Sequence, residues 1–210
     1  HGFALIFLSF LIYLKPNNYF LFCLVTFILA VSFFIGERSN FIKLFISIIF
    51  FVSVAIKVNF KAKLIALMVT IFLIFFSITL NESYKVRYYN QIKTLFSKNG
   101  YSKYMKDSMY GTHYNTAYKI FKENFYFGIG VKNFRNEVRK EKYLDNEFKF
   151  SEKRVTTHPH QVHYEFLSET GIVGYLAFLF FIFSSLYLAI KSYLKSGNLY
   201  QLSGIIFIIT

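Results

Sequence analysis

Six apolar runs, most of them close to the length of a bilayer crossing, divide this chain of 210 residues and leave little choice of fold class. A hydrocarbon core of ~30 Å takes about 20 apolar residues in a helix, with about 17 as the lower limit. Residues 3–14, 19–35, 41–56, 64–80, 171–190 and 199–210 reach or approach that length, the first and last cut short by the ends of the sequence. Inside these runs the only charged side chain is Lys43, near one end, where it can snorkel to the interface. Only 17% of residues are charged while 55% are hydrophobic, and mean hydropathy is +0.40. A soluble domain needs more polar surface than that. The single Cys23 lies in an apolar run, which excludes a disulfide framework or a cysteine zinc site. These features predict an all-α polytopic membrane protein. Apolar runs meeting both ends, with no initiator Met and no signal peptide, read as an internal piece of a longer chain.

Three regions follow: four spans over 1–80, a large loop over 81–163, and two spans over 164–210. Strict alternation puts Lys15, Lys57, Lys61, Lys63, Lys191 and Lys195 on one side, against Arg38 alone in the opposite short loop. Cations in short loops mark the cytoplasmic face, so the large loop is expected outside, in the periplasm. Sixteen of the 24 Lys and Arg fall within it, against eight of the 11 acidic residues. That excess suits an anionic partner such as phosphate, lipid headgroup or acidic glycan, or reflects composition alone. No nucleic-acid motif accompanies the charge, and no nucleic-acid partner is expected.

Inside the loop, Tyr114, Ala117, Tyr118 and Phe121 are spaced for one face of a helix over 114–124, with Thr112 as its N-cap. Gly128-Ile129-Gly130 reads as a turn, too short for a nucleotide fingerprint. A second helix is expected over 133–144, an irregular stretch over 145–157, and a third helix from Pro159 into the fifth span.

The chemistry-bearing cluster is Thr156-Thr157-His158-Pro159-His160-Gln161-Val162-His163-Tyr164-Glu165, with three of the five His within six positions. Proline favours the first helical turn, which puts His160 near the second helical position. There the helix dipole would disfavour imidazolium, keeping His160 neutral and able to accept a proton. His160, His163, Tyr164 and Leu167 would then share a face, with Gly171 and Gly174 further along allowing close helix approach. Two competing readings are a wet interfacial surface and a zinc site from His158, His160, His163 and Glu165, though no metal-ligand spacing such as H-E-x-x-H is present. Arg38, in Gly36-Glu37-Arg38-Ser39-Asn40, is either a local ion pair with Glu37 or a guanidinium for a phosphate. His113 and the pair Arg135 and Arg139 are further binding candidates, the arginines equally suited to a solvated face.

These motifs resemble the O-antigen ligase and polymerase superfamily of polytopic glycosyltransferases. Its loop signature is His, then Asn, Ser or Gln, nine residues, Gly, two residues, and Gly, Thr or Tyr. Here it is His160-Gln161, the nine residues 162–170, then Gly171-Ile172-Val173-Gly174. The Glu-x-Gly-Ile-x-Gly extension is matched by Glu169 to Gly174, the Gly-x-Gly turn by Gly128 to Gly130, and the Arg motif between earlier spans by Arg38. The resemblance implies a fold related to the GT-C class. It implies metal-independent transfer of a glycan from undecaprenyl pyrophosphate to an acceptor hydroxyl on lipid A core, a growing glycan or a protein. It places the enzyme in the bacterial inner membrane, in lipopolysaccharide and other surface polysaccharide biosynthesis, with no cofactor. His160 would be catalytic and Arg38 would bind the pyrophosphate, with His113, Arg135, His163 and Glu169 lining the substrate site. A second family Arg, before the amphipathic loop helix, is absent; Tyr110 and His113 occupy that region.

Chemistry and resemblance agree on what is needed. A pyrophosphate already leaves well, so the enzyme must orient the acceptor, take its proton and stabilise the departing charge. The rival readings are a transporter gathering an anionic solute and a non-catalytic envelope assembly subunit. Transport favours ionisable or broken helices within spans, and these runs have neither.

Overall fold

A computed structural model of the chain describes residues 2–15, 17–35, 38–55, 59–80, 82, 85, 89, 93 and 96–210. Among them every regular element is helical and none is a strand. The chain divides into two compact units, one formed by His1–Glu82 with Ile182–Thr210, the other by Ser83–Phe181.

The first unit holds α1 (Gly2–Tyr13), α2 (Asn18–Ile35), α3 (Arg38–Ala55), α4 (Phe60–Leu80) and α9 (Leu199–Ile209). Leu5, Leu8, Val25, Leu29, Leu44, Ile48, Phe51, Leu202 and Ile206 form one buried cluster. The polar atoms within it are paired side by side. Ser9 Oγ and Ser203 Oγ lie 2.6 Å apart and Ser47 Oγ and Thr210 Oγ1 2.7 Å, linking α9 to α1 and α3. Hydroxyl pairs between helices are the adhesive expected where lipid removes the hydrophobic drive to associate. Outward, Phe3 is 90% exposed and Phe72, Phe75 and Phe76 are exposed as well, surface a water-soluble bundle would cover.

Among the described residues two helices are long and apolar enough to cross a membrane, α4 over Lys63–Leu80 and α8 (Val162–Ser196). The other apolar runs form shorter apolar helices: α1, Cys23–Phe33 of α2, Asn40–Ala55 of α3, and α9. The described residues of the six expected runs are largely helical, and α2 and α3, of 18 residues each, also exceed the lower limit of about 17 for a crossing.

The second unit holds α5 (Gly100–Asp107), α6 (Met109–Glu123), the single turn α7 (Phe134–Glu137), 3-10 turns at Glu141–Tyr143 and Ser151–Arg154, and the start of α8. Its core is Ala117, Ile120, Phe134, Val138 and Tyr143, flanked by Ile129 and Tyr164. Helix α6 begins a turn before the expected Thr112 cap. Ser108 is extended (φ −115°, ψ 148°) and its hydroxyl accepts from the Gly111 amide at 3.0 Å, so the earlier hydroxyl takes the cap. Gly111 then lies inside the helix, where a Cβ would stand 1.8 Å from the Met105 carbonyl oxygen; α5 and α6 meet there backbone to backbone. The buried stripe of α6 is Thr112, His113, Thr116, Ala117 and Ile120, one position off the expected face. Tyr118 is exposed, with Lys122 Nζ 4.7 Å above its ring.

The expected helix over 133–144 is one turn only. Arg139 follows α7, and a 3-10 turn then brings Tyr143 into the core, where its hydroxyl lies between the carboxylates of Glu123 (2.8 Å) and Glu137 (2.9 Å), to either of which it can donate its one proton. Those bonds require a sharp bend that a continuous helix forbids. The stretch over 145–157 is organised by Asp145, which accepts from Lys119 (2.7 Å) and Asn115 (2.9 Å), the lysine first holding its carboxyl below the usual range.

Candidate functional site

Local backbone geometry positions the histidine cluster. His160 has φ 60°, a left-handed conformation that no helix interior accepts from an L-residue, so it lies off the helix rather than near its second position. Helix α8 starts at Val162, capped by Gln161, whose Oε1 accepts from the Tyr164 amide at 2.9 Å. Gln161 takes the cap two residues after Pro159, which is itself fully buried. The shared helical face of His160, His163 and Tyr164 therefore does not form. His163 lies in the first turn of α8, its Nδ1 3.1 Å from the Tyr175 hydroxyl and its ring edge-on to Tyr175 and Phe178.

What gathers round His160 comes from elsewhere in the chain. The His113 ring stacks on it with centroids 5.4 Å apart, His158 lies at 4.3 Å, and Tyr110 meets it edge-on at 6.0 Å. His113 is 4% exposed. Its Nε2 lies 3.4 Å from the Lys153 carbonyl, which can only accept, so the proton is on Nε2, and among the described residues Nδ1 is a buried acceptor without a partner. His158 Nδ1 is 2.9 Å from Thr157 Oγ1, and His160 Nε2 is 3.5 Å from Thr156 Oγ1.

Both central imidazoles resist protonation. Burial pulls His113 below the ordinary value of 6.5, against the opposing Lys153 carbonyl, and nearby His160 and His158 add to the lowering. Partial desolvation lowers His160 first and His158 second, with Glu165 pulling the other way. The lowering comes from desolvation and the neighbouring His158 ring. The residue remains solvent-accessible, so a neutral imidazole is presented at the surface of the unit. An exposed proton acceptor held neutral at physiological pH suits general-base chemistry.

The motif glycines act on backbone rather than on a neighbouring helix. Gly171 interrupts α8 with φ 66° and ψ −168°, and a Cβ there would stand 2.4 Å from Tyr126 backbone atoms. Gly128, φ 65°, faces it reciprocally, with a Cβ 2.4 Å from Glu169 backbone. Four backbone bonds lock the two segments: Ile129 N to Ser168 O (3.1 Å), Gly130 N to Glu169 O (2.8 Å), Ile172 N to Phe125 O (2.8 Å) and Val173 N to Tyr126 O (3.2 Å). The break in α8 thus leaves its displaced amides and carbonyls paired. Gly174 lies one turn on, where a Cβ would stand 2.3 Å from Thr170 Oγ1.

Glu169 is 6% exposed, and its carboxylate is occupied by the fold. Oε2 accepts from the Lys132 amide (2.8 Å) and Oε1 from the Phe134 amide (3.2 Å), which ties the left-handed Lys132 and α7 to α8. Arg135 is exposed, and Arg139 Nε donates to its carbonyl at 3.2 Å. Arg38 opens α3; its side chain lies outside the described residues, as do Gly36 and Glu37. Of the expected site residues, His113 and His160 come together, whereas His163, Arg135 and Glu169 have other surroundings. Among the described residues no three His, Cys, Asp or Glu side chains converge as metal ligands.

Sequence reasoning missed Arg154 altogether, the contact of Tyr110 with His160, and the capping role of Gln161. Arg154 is 6% exposed, and its guanidinium donates to the carbonyls of Ser151 (3.4 Å), Arg139 (3.3 Å) and Lys140 (3.2 Å), with Nε buried and unpartnered. It fixes the turn from which the histidine segment departs. A lone basic residue in a polar stretch carries no signal of that role. Gln161 did carry one, as an amide three residues before the helical amide it caps.

In comparison with known proteins, the sequence profile of a family described as O-antigen ligase aligns with residues 23–179. No curated protein and no solved structure matches the chain.

Proposed function

This chain belongs to the O-antigen ligase family, a family of membrane proteins that act in surface polysaccharide assembly, and from that premise we propose that it transfers a glycan from undecaprenyl pyrophosphate to an acceptor hydroxyl. The observation that carries the proposal is the neutral, solvent-accessible His160, held in a left-handed turn beside His113 and His158. His160 takes the proton of the acceptor hydroxyl as that oxygen attacks the anomeric carbon. The bond from that carbon to the pyrophosphate oxygen breaks, and the diphosphate leaves on its lipid. His113 packs against the His160 ring and limits its rotation, so the accepting nitrogen is aimed before substrate arrives. Arg38 is assigned to the pyrophosphate, where a guanidinium can grip two oxygens and offset the departing charge. His163 and Arg135 are assigned to the outer substrate surface. Glu169, Gly171 and Gly174 serve by holding the loop to α8. The six apolar helices are assigned as spans of a GT-C-like, multi-pass enzyme of the bacterial inner membrane, with the large loop in the periplasm. The acceptor is lipid A core, a growing glycan or a protein hydroxyl, and neither metal nor cofactor takes part.

The test is glycan transfer from a lipid pyrophosphate donor by the chain reconstituted in bilayers. His160→Ala is expected to lower transfer by roughly 10²- to 10⁴-fold, the usual contribution of a general base, with folding unchanged. Arg38→Ala is expected to weaken donor binding. Full transfer by His160→Ala overturns the proton-acceptor role, and unchanged donor binding in Arg38→Ala overturns the pyrophosphate role.

A further inference from the structure

A cluster of tyrosines adjoins His160, and proton transfer has no use for it. Along α6, Tyr110, Tyr114 and Tyr118 recur at intervals of four, beside but outside the buried stripe of that helix. Tyr110 stacks over Tyr114 with centroids 6.3 Å apart, and Tyr114 stacks on Tyr164 of α8 at 5.1 Å and 13°. Tyr101 and Tyr104 of α5 join them. The Tyr114 phenol is pushed up, first by burial and then by the hydroxyls of Tyr104, Tyr110, Tyr164 and Tyr101, so five phenols share one neighbourhood. The arrangement is not core packing. Tyr110 is 48% exposed and Tyr101 is 68% exposed, while the core of this unit is completed by Phe134, Val138 and Tyr143. Tyr110 is also the ring that meets His160 edge-on.

We infer that this cluster is a glycan-stacking platform, in which the exposed ring of Tyr110, stacked on Tyr114, receives the apolar face of a pyranose ring next to His160. The assignment rests on the transfer reading, and it names the part of the substrate that the site holds. One face of a pyranose carries C–H groups whose positive edges suit the negative face of an aromatic ring. Its hydroxyls at the rim need hydrogen-bond partners, which phenols supply and phenylalanines do not. A tyrosine pair fixed by stacking on Tyr164 loses little freedom when it binds, because each ring has only two torsions. The platform is contiguous with the proton acceptor, so a sugar stacked on Tyr110 carries its neighbouring residue to His160. The glycan comes from the donor or from the acceptor, two sources of one chemistry that kinetics separates.

The chain has no Trp, so Tyr110→Trp introduces a single indole at the centre of the platform. In nanodiscs its fluorescence is expected to change saturably with oligosaccharide released by mild acid from the surface polysaccharide of the source cells. Tyr110→Ala is expected to raise KM for one glycan substrate by roughly three- to tenfold, the range that one aromatic contact supplies, with kcat within twofold. Tyr110→Phe, which keeps the ring and loses the hydroxyl, is expected to show a smaller rise than Tyr110→Ala for the same substrate. A rise confined to the acceptor assigns the platform to the acceptor glycan; a rise confined to the donor assigns it to the donor glycan. Unchanged KM for both in Tyr110→Ala overturns the platform while His160→Ala still reports on transfer. Quenching of the indole by brominated lipid with no response to oligosaccharide also overturns it, and identifies the patch as a bilayer-interface anchor. Saturable binding by a chain that transfers nothing retains the platform and rejects the transfer reading instead.

Discussion

The two units of the molecule reach their stability by opposite means. In the apolar unit, nine buried side chains, from Leu5 to Ile206, pack without directional constraint, and the serine pair between α1 and α9 is an addition to that packing. In the loop unit the core is five side chains, and the shape is set by single atoms. Glu169 holds two amides, Gly128 and Gly171 interlock, and Ser108 and Gln161 start the helices. Packing of the first kind tolerates exchange of similar volumes; bonds of the second kind do not. Precise placement of a proton acceptor calls for the second kind, and the loop unit is where the histidines gather.

The strongest way to break this contrast is to add one methyl group at each interlocked glycine. Gly171→Ala would put a Cβ 2.4 Å from the backbone of Tyr126 in a conformation with φ 66°, combining strain with overlap that backbone cannot yield. A loss of about 3–5 kcal/mol is expected, read as a lower unfolding temperature, and Gly128→Ala should behave alike. By contrast, Ile48→Leu in the apolar unit is expected to cost less than about 1.5 kcal/mol. Equal losses at both places would erase the distinction.

Next in size is the carboxylate clamp. Glu169→Ala leaves the Lys132 and Phe134 amides unpaired, the second in a buried position, and about 2–3 kcal/mol is the expected cost. Glu169→Gln keeps one acceptor oxygen, so about half of that loss is expected to return. A Glu169→Ala chain as stable as wild type would mean that these amides find other partners. If Glu169 binds substrate rather than the fold, Glu169→Gln would instead leave unfolding unchanged and raise KM.

This contrast explains what could be read from the sequence. Hydropathy located the apolar helices closely: 19–35 against Asn18–Ile35, and 41–56 against Arg38–Ala55. It missed the start of α4, because the helix begins across the two lysines Lys61 and Lys63 under a cap from Asn59, whose Oδ1 accepts from the Lys61 amide at 3.1 Å. In the loop, the Gly-x-Gly turn was legible because only glycine adopts those angles freely. The position of His160 was misread because Pro159 favoured a helix start, whereas the Gln161 cap sets it later. That His113 stacks on His160, 47 positions away, follows from core packing of α6 and leaves no local trace. The clamp role of Glu169 was hidden for the same reason, since its amide partners lie 35 and 37 positions upstream.

Acid is expected to act less strongly, and only on the loop unit. His113 and His160 both resist protonation in the folded chain, so near neutral pH they are neutral folded and unfolded, and stability is full. As pH falls through 6.5, the unfolded chain binds protons that the folded chain refuses, and stability declines until the lowered folded-state values are passed. Hydrogen exchange should therefore quicken in α6 below that pH while α1 and α9 stay protected. The acid limb of transfer should fall below pH 6.5 for the same reason, because His160 keeps its accepting form further down. His113→Phe keeps a ring against His160 but removes one titrating group, and should make α6 protection less sensitive to acid.

The smallest effect belongs to the apolar unit, and it sharpens the comparison. Ser9 Oγ and Ser203 Oγ lie 2.6 Å apart, so one donates to the other, but each can instead give its one proton to its own helix: Ser9 to the Leu5 carbonyl (2.9 Å), Ser203 to that of Leu199 (3.0 Å). Removing one hydroxyl therefore leaves the other satisfied, and the pair should be worth little even where lipid excludes water. Ser9→Ala, Ser203→Ala and the double substitution are expected to give a coupling of about 0.6 kcal/mol, typical of hydrogen bonds between membrane helices. A double-mutant cycle on unfolding in bilayers measures it. A coupling near the cost of the Glu169 clamp would mean that α9 is held by directional bonds after all, and that the two units differ in composition but not in how they are built.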